Sequence, residues 1–139
     1  LYGGVGALTL PSHKKFRDIT VVEADRDAAQ NLREIVKWNK IPRVNIITGK
    51  VEDNIERILE EKVFDAAVID PPRSGMHPRV ISALKAAKIP KLVYISCNPA
   101  SFARDIADLK SHYRLDEMTP LDQFAQTYHT EIMACLTVV

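Results

Sequence analysis

Of the two cysteines in this sequence, Cys97 stands where a thiol can do chemistry. It lies in "YISCNPASF", between the strand-like "KLVYIS" and a helical pattern opened by Asn98 and Pro99. A thiol at that junction faces the positive end of a helix dipole, which favours the nucleophilic thiolate. Most free cysteines are instead small buried hydrophobes, and Cys135, inside the apolar "MACLTVV", reads that way. A nucleophile of this kind needs a proton acceptor. The segment "DQFAQTYHTEI" offers two, His129 and Glu131, at the head of the last apolar run. Each also has a purely structural reading, but a glutamate entering an apolar strand is the less expected of the pair and is suited to proton transfer.

Two further groups carry polar chemistry. In "DPPRSG", residues 70–75, two prolines stiffen the backbone behind Asp70. The competing reading is a rigid turn whose aspartate caps the next segment, although Arg73 and Gly75 add features that a cap does not need. Near the start, "YGGVG" at residues 2–6 has glycines, Gly4 and Gly6 among them, that permit a turn and a close backbone approach. Glu23 ends the following strand, where a carboxylate can accept both hydroxyls of a ribose. A solvent-facing acid at a strand end is an equal alternative for Glu23 alone. Together the glycine loop and the acid point to an adenosine-type ligand. With neither a full GxGxxG nor the Lys-Ser/Thr of a P-loop, the pattern fits a nucleoside without a triphosphate.

These residues need elements to hold them. Short β-branched or apolar runs at 18–25, 44–49, 64–70 and 91–96 read as strands. Helical spacing recurs at 26–40, where Ala28, Leu32, Ile35, Val36 and Trp38 form the apolar set, and at 51–62, 78–88 and 100–111. Residues 113–121 and 130–139 read as two successive strands with no helix between them. The alternation predicts an α/β fold with a mostly parallel, doubly wound sheet, and the last strand antiparallel to its neighbours. In such sheets ligands sit beyond the carboxyl ends of the strands, which is where the glycine loop, Glu23, Asp70 and Cys97 all fall. The chain opens on the glycine loop without a methionine, so the first strand is expected to be largely absent. Residues 1–139 are then expected to form a single C-terminal domain of a longer protein, poorly stable alone.

Composition narrows the class further. The chain has 139 residues, 46% hydrophobic and 27% charged, as a globular domain does. No apolar run approaches membrane-span length, no signal peptide is visible, and two cysteines make no disulfide framework. A reducing cytoplasm is therefore the expected compartment. With 19 basic and 18 acidic residues, charge neither demands nor excludes a nucleic acid. The one basic cluster, "HKKFR" at 13–17, suits a solvated loop or helix end as well as a phosphate contact. No metal-ligand set is read.

Taken in order, "LYGGVG", "VVEAD", "DPPRSG", "YISCNPASFARDI" and "DQFAQTYHTE" resemble the RNA (uracil-5-)-methyltransferases that use S-adenosylmethionine. The resemblance spans essentially the whole chain, and its last three motifs are the specific ones. It implies a Rossmann-like class I methyltransferase domain acting on a uridine of transfer or ribosomal RNA, with the RNA held largely by upstream domains. By the same resemblance Cys97 matches the nucleophile and Glu131 the base, while Asp70 matches an aspartate at the cofactor–base junction. Tyr2, Gly4, Gly6 and Glu23 match cofactor positions, and Arg73 stands with Asp70 on the substrate-base side. Cys97 then sits at the mouth of its strand because a flipped-out base must reach it there.

Some members carry Cys where Gly3 stands, an exchange expected to be neutral. Many carry Asn at Ala7, and "QFP" in place of "QFA" at Ala125. The enzyme rivals are cytosine-5 and amino-methylating RNA methyltransferases. The first would carry a second cysteine in the "DPPRSG" motif, and the second an aromatic residue at Arg73. A binding module without turnover is the alternative from outside enzymes.

Overall fold

The computed structural model describes residues 1–122, 125–126 and 130–139. It divides into two units, Leu1–Asn54 and Ile55–Val139, and each is built around a sheet of its own.

In the first unit, the β-branched run of β1 (Ile19–Glu23) pairs in parallel with β2 (Val44–Thr48), in register from Ile19↔Val44 to Glu23↔Thr48. Val21 and Val22 are buried. The crossover is α2 (Arg26–Trp38), whose start is set by Asp25. The Asp25 side chain accepts the Ala28 N–H at 2.7 Å, satisfying one of the orphan donors of the first turn. Asp27 in the first turn and Lys37 in the last match the helix dipole. Ala29 and Leu32 are buried, and Arg33 Nη2 reaches across to the Ile46 carbonyl (3.2 Å) and Thr48 Oγ1 (2.6 Å) of β2.

Trp38 corrects the sequence expectation. It was counted on the apolar stripe, yet it is 86% exposed. Nine residues beyond Ala29 at 3.6 per turn place it roughly 180° around the helix from that buried position. A short helix α1 (Thr9–Ser12), continued by a 3₁₀ turn at His13–Lys15, was also not foreseen there. Pro11 is compatible with it because a first-turn N–H has no intrahelical partner to lose. Lys14, Lys15, Phe16 and Arg17 of the basic cluster are exposed.

In the second unit the sheet order is β3-β4-β6-β5. β3 (Ala66–Ile69) runs parallel to β4 (Lys91–Ser96), while β6 (Glu131–Val138) is antiparallel to both β4 and β5 (Tyr113–Leu121). The antiparallel last strand thus matches the sequence reading. The pairs Leu92↔Leu136 and Tyr94↔Ala134 lie on one face, and all four residues are buried. The helices α4 (Pro78–Ala87) and α5 (Pro99–Leu109) connect the strands and add Val80, Leu84, Phe102 and Leu109 to the buried set. The rings of Tyr94 and Phe102 meet at 5.3 Å, and buried Tyr113 donates its hydroxyl to the Leu84 carbonyl at 3.0 Å. Both helices begin with proline at the first position, behind a capping side chain, His77 for α4 and Asn98 for α5. A helix α3 (Val51–Glu61) spans the division between the units and buries Val51, Ile55 and Ile58.

The strands fall in two sheets, and among the described residues no strand precedes β1, where the sequence reading expected a first strand to be largely absent. No described helix is long and apolar enough to cross a membrane.

Candidate active site

The glycine loop of the first unit is held in shape by its own backbone. Gly6 N–H closes a turn on the Gly3 carbonyl (3.0 Å), Gly3 N–H reaches Val22 O (3.0 Å), and Leu10 N–H reaches Gly6 O (2.8 Å). Gly4 and Gly6 have φ of 52° and 91°, values that a side chain disfavours. Tyr2, which is not glycine, sits at φ 61°, a conformation that costs about 1–2 kcal/mol. A Cβ on Gly6 would lie 2.5 Å from Leu32 Cδ1, so this glycine lets the loop lie against α2. At Gly4 a Cβ would meet nothing within 4 Å, leaving that backbone open to a ligand. Gly3 differs from expectation. A Cβ there would run into Cγ1 of buried Val21, so cysteine is not a neutral exchange in this chain.

Glu23 has a defined place in this loop. Its Oε2 accepts the Gly4 N–H at 2.6 Å and its Oε1 the Asp25 N–H at 2.7 Å. Both carboxylate oxygens of half-buried Glu23 are thus engaged by the backbone of the loop and of the strand end. A carboxylate offers about four acceptor sites, so about two remain for the hydroxyls of a diol.

In the second unit three candidates meet at one end of one sheet, and the strand registers show how. Ile69 pairs with Tyr94 in parallel, and Asp70 follows Ile69 directly. Ser96 pairs with Ile132 in antiparallel, with Cys97 following the first and Glu131 preceding the second. Cys97 is half-buried, as is Glu131 at the head of β6. The cysteine is bracketed by its neighbours. Ser96 Oγ accepts the Asn98 N–H (3.2 Å) and donates to the Asn98 carbonyl (3.1 Å), while Asn98 Oδ1 caps α5 through the Ala100 N–H (3.0 Å). Cys135 is half-buried rather than buried, opposite Val93 and Glu117 on the neighbouring strands.

"DPPRSG" forms a tight turn in which Gly75 N–H reaches the Pro72 carbonyl at 2.8 Å, with Gly75 at φ 83°. The capping role once open to Asp70 belongs to His77, whose Nδ1 accepts the Arg79 N–H. Arg73 is exposed in the turn, and its carbonyl accepts a hydrogen bond from Asn98 Nδ2 at 2.9 Å. His129 lies outside the described residues.

Partial loss of hydration, and secondly the charge of Glu131, raise the Asp70 carboxyl pKa above the ordinary aspartate value. Asp70 keeps solvent access, so screening limits the effect on stability. The sign follows from linkage. A raised folded-state pKa gives stability that is present below the unfolded value of about 4 and lost as pH rises through the folded value. At neutral pH ionised Asp70 is therefore a small liability to the fold. Asp70→Asn should raise the melting temperature at pH 7 by about 1–2 °C, with the gain disappearing toward pH 4. An equal gain at both pH values would exclude this origin.

Sequence reasoning placed Asn98 and Pro99 as a rigid hold behind Cys97, but did not single out the Ser96 hydroxyl beside it, nor Arg104 and Asp105 beyond them. A signal for Asp105 was present. It stands three residues after Phe102 and four before Leu109, on the apolar stripe of its helix, where an acid must find donors.

A family model described as tRNA (Uracil-5-)-methyltransferase matches residues 1–138. A tRNA (uracil(54)-C(5))-methyltransferase of Pyrococcus horikoshii is 36% identical over 138 residues, 99% of this chain and 32% of that protein. An uncharacterized RNA methyltransferase of Protochlamydia amoebophila is 36% identical over 141 residues, again covering 99% of this chain and 32% of its own length. Among solved structures, Pyrococcus abyssi tRNA (uracil-54, C5)-methyltransferase in complex with S-adenosyl-L-homocysteine matches with a TM-score of 0.83 at 31% identity, over 98% of this chain and 33% of that one. The likeness establishes a Rossmann-like methyltransferase fold. The chain spans about a third of the length of these relatives. With a family model matched along nearly its whole length, the chain belongs to the tRNA (uracil-5-)-methyltransferase family.

Proposed function

We propose that this chain is the catalytic part of an enzyme that transfers a methyl group from S-adenosylmethionine to C5 of a uridine in RNA, by way of a bond between Cys97 Sγ and C6 of the base. The observation that supports this most is that the pairing of β3, β4 and β6 runs up to Ile69, Ser96 and Ile132, the immediate neighbours of Asp70, Cys97 and Glu131. The names of the relatives make transfer RNA the first substrate to try; ribosomal RNA, which the sequence resemblance leaves open, is the second.

Uracil C5 is a weak nucleophile. Addition of the Cys97 thiolate to C6 forms the C–S bond and moves the C5–C6 π electrons into an enolate, which makes C5 electron-rich. S-adenosylmethionine, when bound, supplies an electrophilic methyl group on a sulfonium. The fit of the first unit to that group rests on Glu23, with acceptor sites left for the ribose hydroxyls, and on the open backbone at Gly4. Tyr2 and Gly6 fix the path of the same loop. Once C5 carries both its proton and the methyl group, Glu131 removes the proton. The C5–H electrons restore the C5=C6 bond and expel the Cys97 thiolate, so the enzyme returns to its starting state with one proton to release. Asp70 and Arg73 flank the base, Asp70 as an acceptor for its imide N–H and Arg73 as a donor to its oxygens. The thiolate must stay reduced, which a reducing cytoplasm provides.

The test uses the full natural polypeptide with methyl-labelled S-adenosylmethionine and unmodified transfer and ribosomal RNA transcripts, followed by digestion to nucleosides. Label is expected in 5-methyluridine. Label in 5-methylcytidine or in an amino-methylated base would overturn the reading in favour of a rival enzyme. Saturable cofactor binding with no labelled nucleoside would overturn it in favour of a binding module.

A further inference from the structure

We propose that Asp105 is a positioning residue for the methylation reaction, acting through a clamp that ties the Pro72–Met76 turn to helix α5 and so fixes where Asp70 and Arg73 stand relative to Cys97. The inference rests on the function proposed above.

Asp105 is fully buried. A carboxylate taken out of water is strongly destabilising unless its oxygens are met by donors. Here four meet them, and they come from three segments. Oδ2 accepts the Met76 N–H at 2.7 Å and the Tyr94 hydroxyl at 2.6 Å. Oδ1 accepts Arg104 Nη2 at 2.6 Å and Nε at 3.0 Å. Met76 follows the "DPPRSG" turn directly, Tyr94 lies three residues before Cys97 on the same strand, and Arg104 belongs to the helix that begins just after Cys97. One carboxylate therefore joins the turn, the strand and the helix at a single point.

Two more hydrogen bonds hold the same turn from the same helix. Arg104 Nη2 donates to the Ser74 carbonyl at 2.8 Å, and the cap residue Asn98 donates to the Arg73 carbonyl at 2.9 Å. The Arg73 carbonyl, the Ser74 carbonyl and the Met76 N–H are thus all engaged by α5 or its cap. Gly75, between them, has no room for a side chain, because a Cβ would lie 2.6 Å from Asp105 Oδ2. The backbone comes that close only because the residue is glycine. Burial of area alone would be served as well by leucine at 105, so the directional bonds are what the carboxylate adds. Their consequence is a fixed spacing between the turn that flanks the base and the thiol that attacks it, and errors of about 1 Å in such spacings cost on the order of 100-fold in rate.

The experiment compares Asp105→Asn, Arg104→Met and Arg104→Lys in the full natural polypeptide. Arg104 is half-exposed, and without it Asp105 Oδ2 keeps its Met76 and Tyr94 donors. Should Asp105→Asn fail to fold, Arg104→Met is therefore the milder variant, and Arg104→Lys, which keeps a cation there, the mildest. The readouts are the single-turnover rate of adduct formation with 5-fluorouridine RNA, KM for RNA, deuterium exchange of residues 72–76, and the alkylation rate of Cys97 mapped by mass spectrometry. Asp105→Asn should slow adduct formation about 100-fold and Arg104→Met about tenfold, with KM changed less than about threefold and turn exchange faster in both. Arg104→Lys should recover part of the rate. An Arg104→Met protein with parental adduct rate and parental turn exchange would overturn the inference while leaving the methyltransferase reading intact. Should the parent itself make no 5-methyluridine, that reading fails instead. The clamp is then judged on turn exchange and Cys97 alkylation, and parental values of both in Arg104→Met overturn it.

Discussion

Cys97→Ala should bind S-adenosylmethionine as the parent does, fold as the parent does, and form neither adduct nor methylated uridine. The expected loss in turnover is on the order of 10⁴-fold or more, the scale seen when a covalent nucleophile is removed. Folding should survive because the thiol is not what shapes its loop. The Ser96 hydroxyl and the Asn98 backbone and side chain carry the hydrogen bonds on either side of it. Removing one half-buried sulfur should change stability by less than about 1 kcal/mol. Cofactor binding should survive because the substitution alters none of the residues proposed for it, Tyr2, Gly4, Gly6, Glu23 and Asp70. A 5-fluorouridine RNA makes the outcome visible, since fluorine at C5 cannot leave as a proton and the parent is trapped on the RNA. A denaturing gel should show that complex for the parent and for Cys135→Ala, and none for Cys97→Ala. A trapped complex in Cys97→Ala would move the nucleophile elsewhere. Unaltered methylation by that variant would remove covalent catalysis from the scheme.

Much of this arrangement is legible in the sequence, because alternation of strand and helix is written in local periodicity. Residues 113–121, read as a strand, are the observed β5, and the two prolines at helix starts mark α4 and α5. Candidate residues at strand ends follow from the same reading, as with Glu23 closing β1 and Cys97 following β4. The misreadings have equally physical causes. Trp38 is apolar by type but on the wrong side of its helix by phase. Helix α1 is hidden because Pro11 sits inside it and glycines precede it, both ordinarily breakers. Glu23 and Asp105 each take one backbone N–H partner distant in sequence, Gly4 at 19 residues away and Met76 at 29. Nothing in local composition announces such pairings. Only a strand register, or an acid standing on an apolar stripe, hints that they exist.

Glu131→Gln should separate the two halves of the reaction. Glutamine matches the size of glutamate but cannot take up a proton, so the methyl group should still reach C5 in the first turnover while elimination of Cys97 fails. The expected result is a covalent protein–RNA complex on ordinary uridine RNA, already methylated, with first-turnover methylation within a few-fold of the parent. Steady turnover should fall by about 10²–10⁴, the usual contribution of a positioned base. His129→Gln, run alongside, should turn over without accumulating the complex. A second signature comes from Asp70. The charge of Glu131 is one of the causes that raise the Asp70 pKa, so its removal should lower that pKa toward the ordinary aspartate value, as followed by NMR titration of the carboxyl carbon. The two signatures test different things. A fall in the Asp70 pKa reports that the acids face one another across the sheet end, and the stalled complex reports that Glu131 is the base. Brisk turnover of Glu131→Gln with the Asp70 pKa lowered would keep the geometry and assign proton removal to another group. Loss of first-turnover methylation would instead mean that Glu131 acts before C5 is methylated, in preparing the base for attack by Cys97.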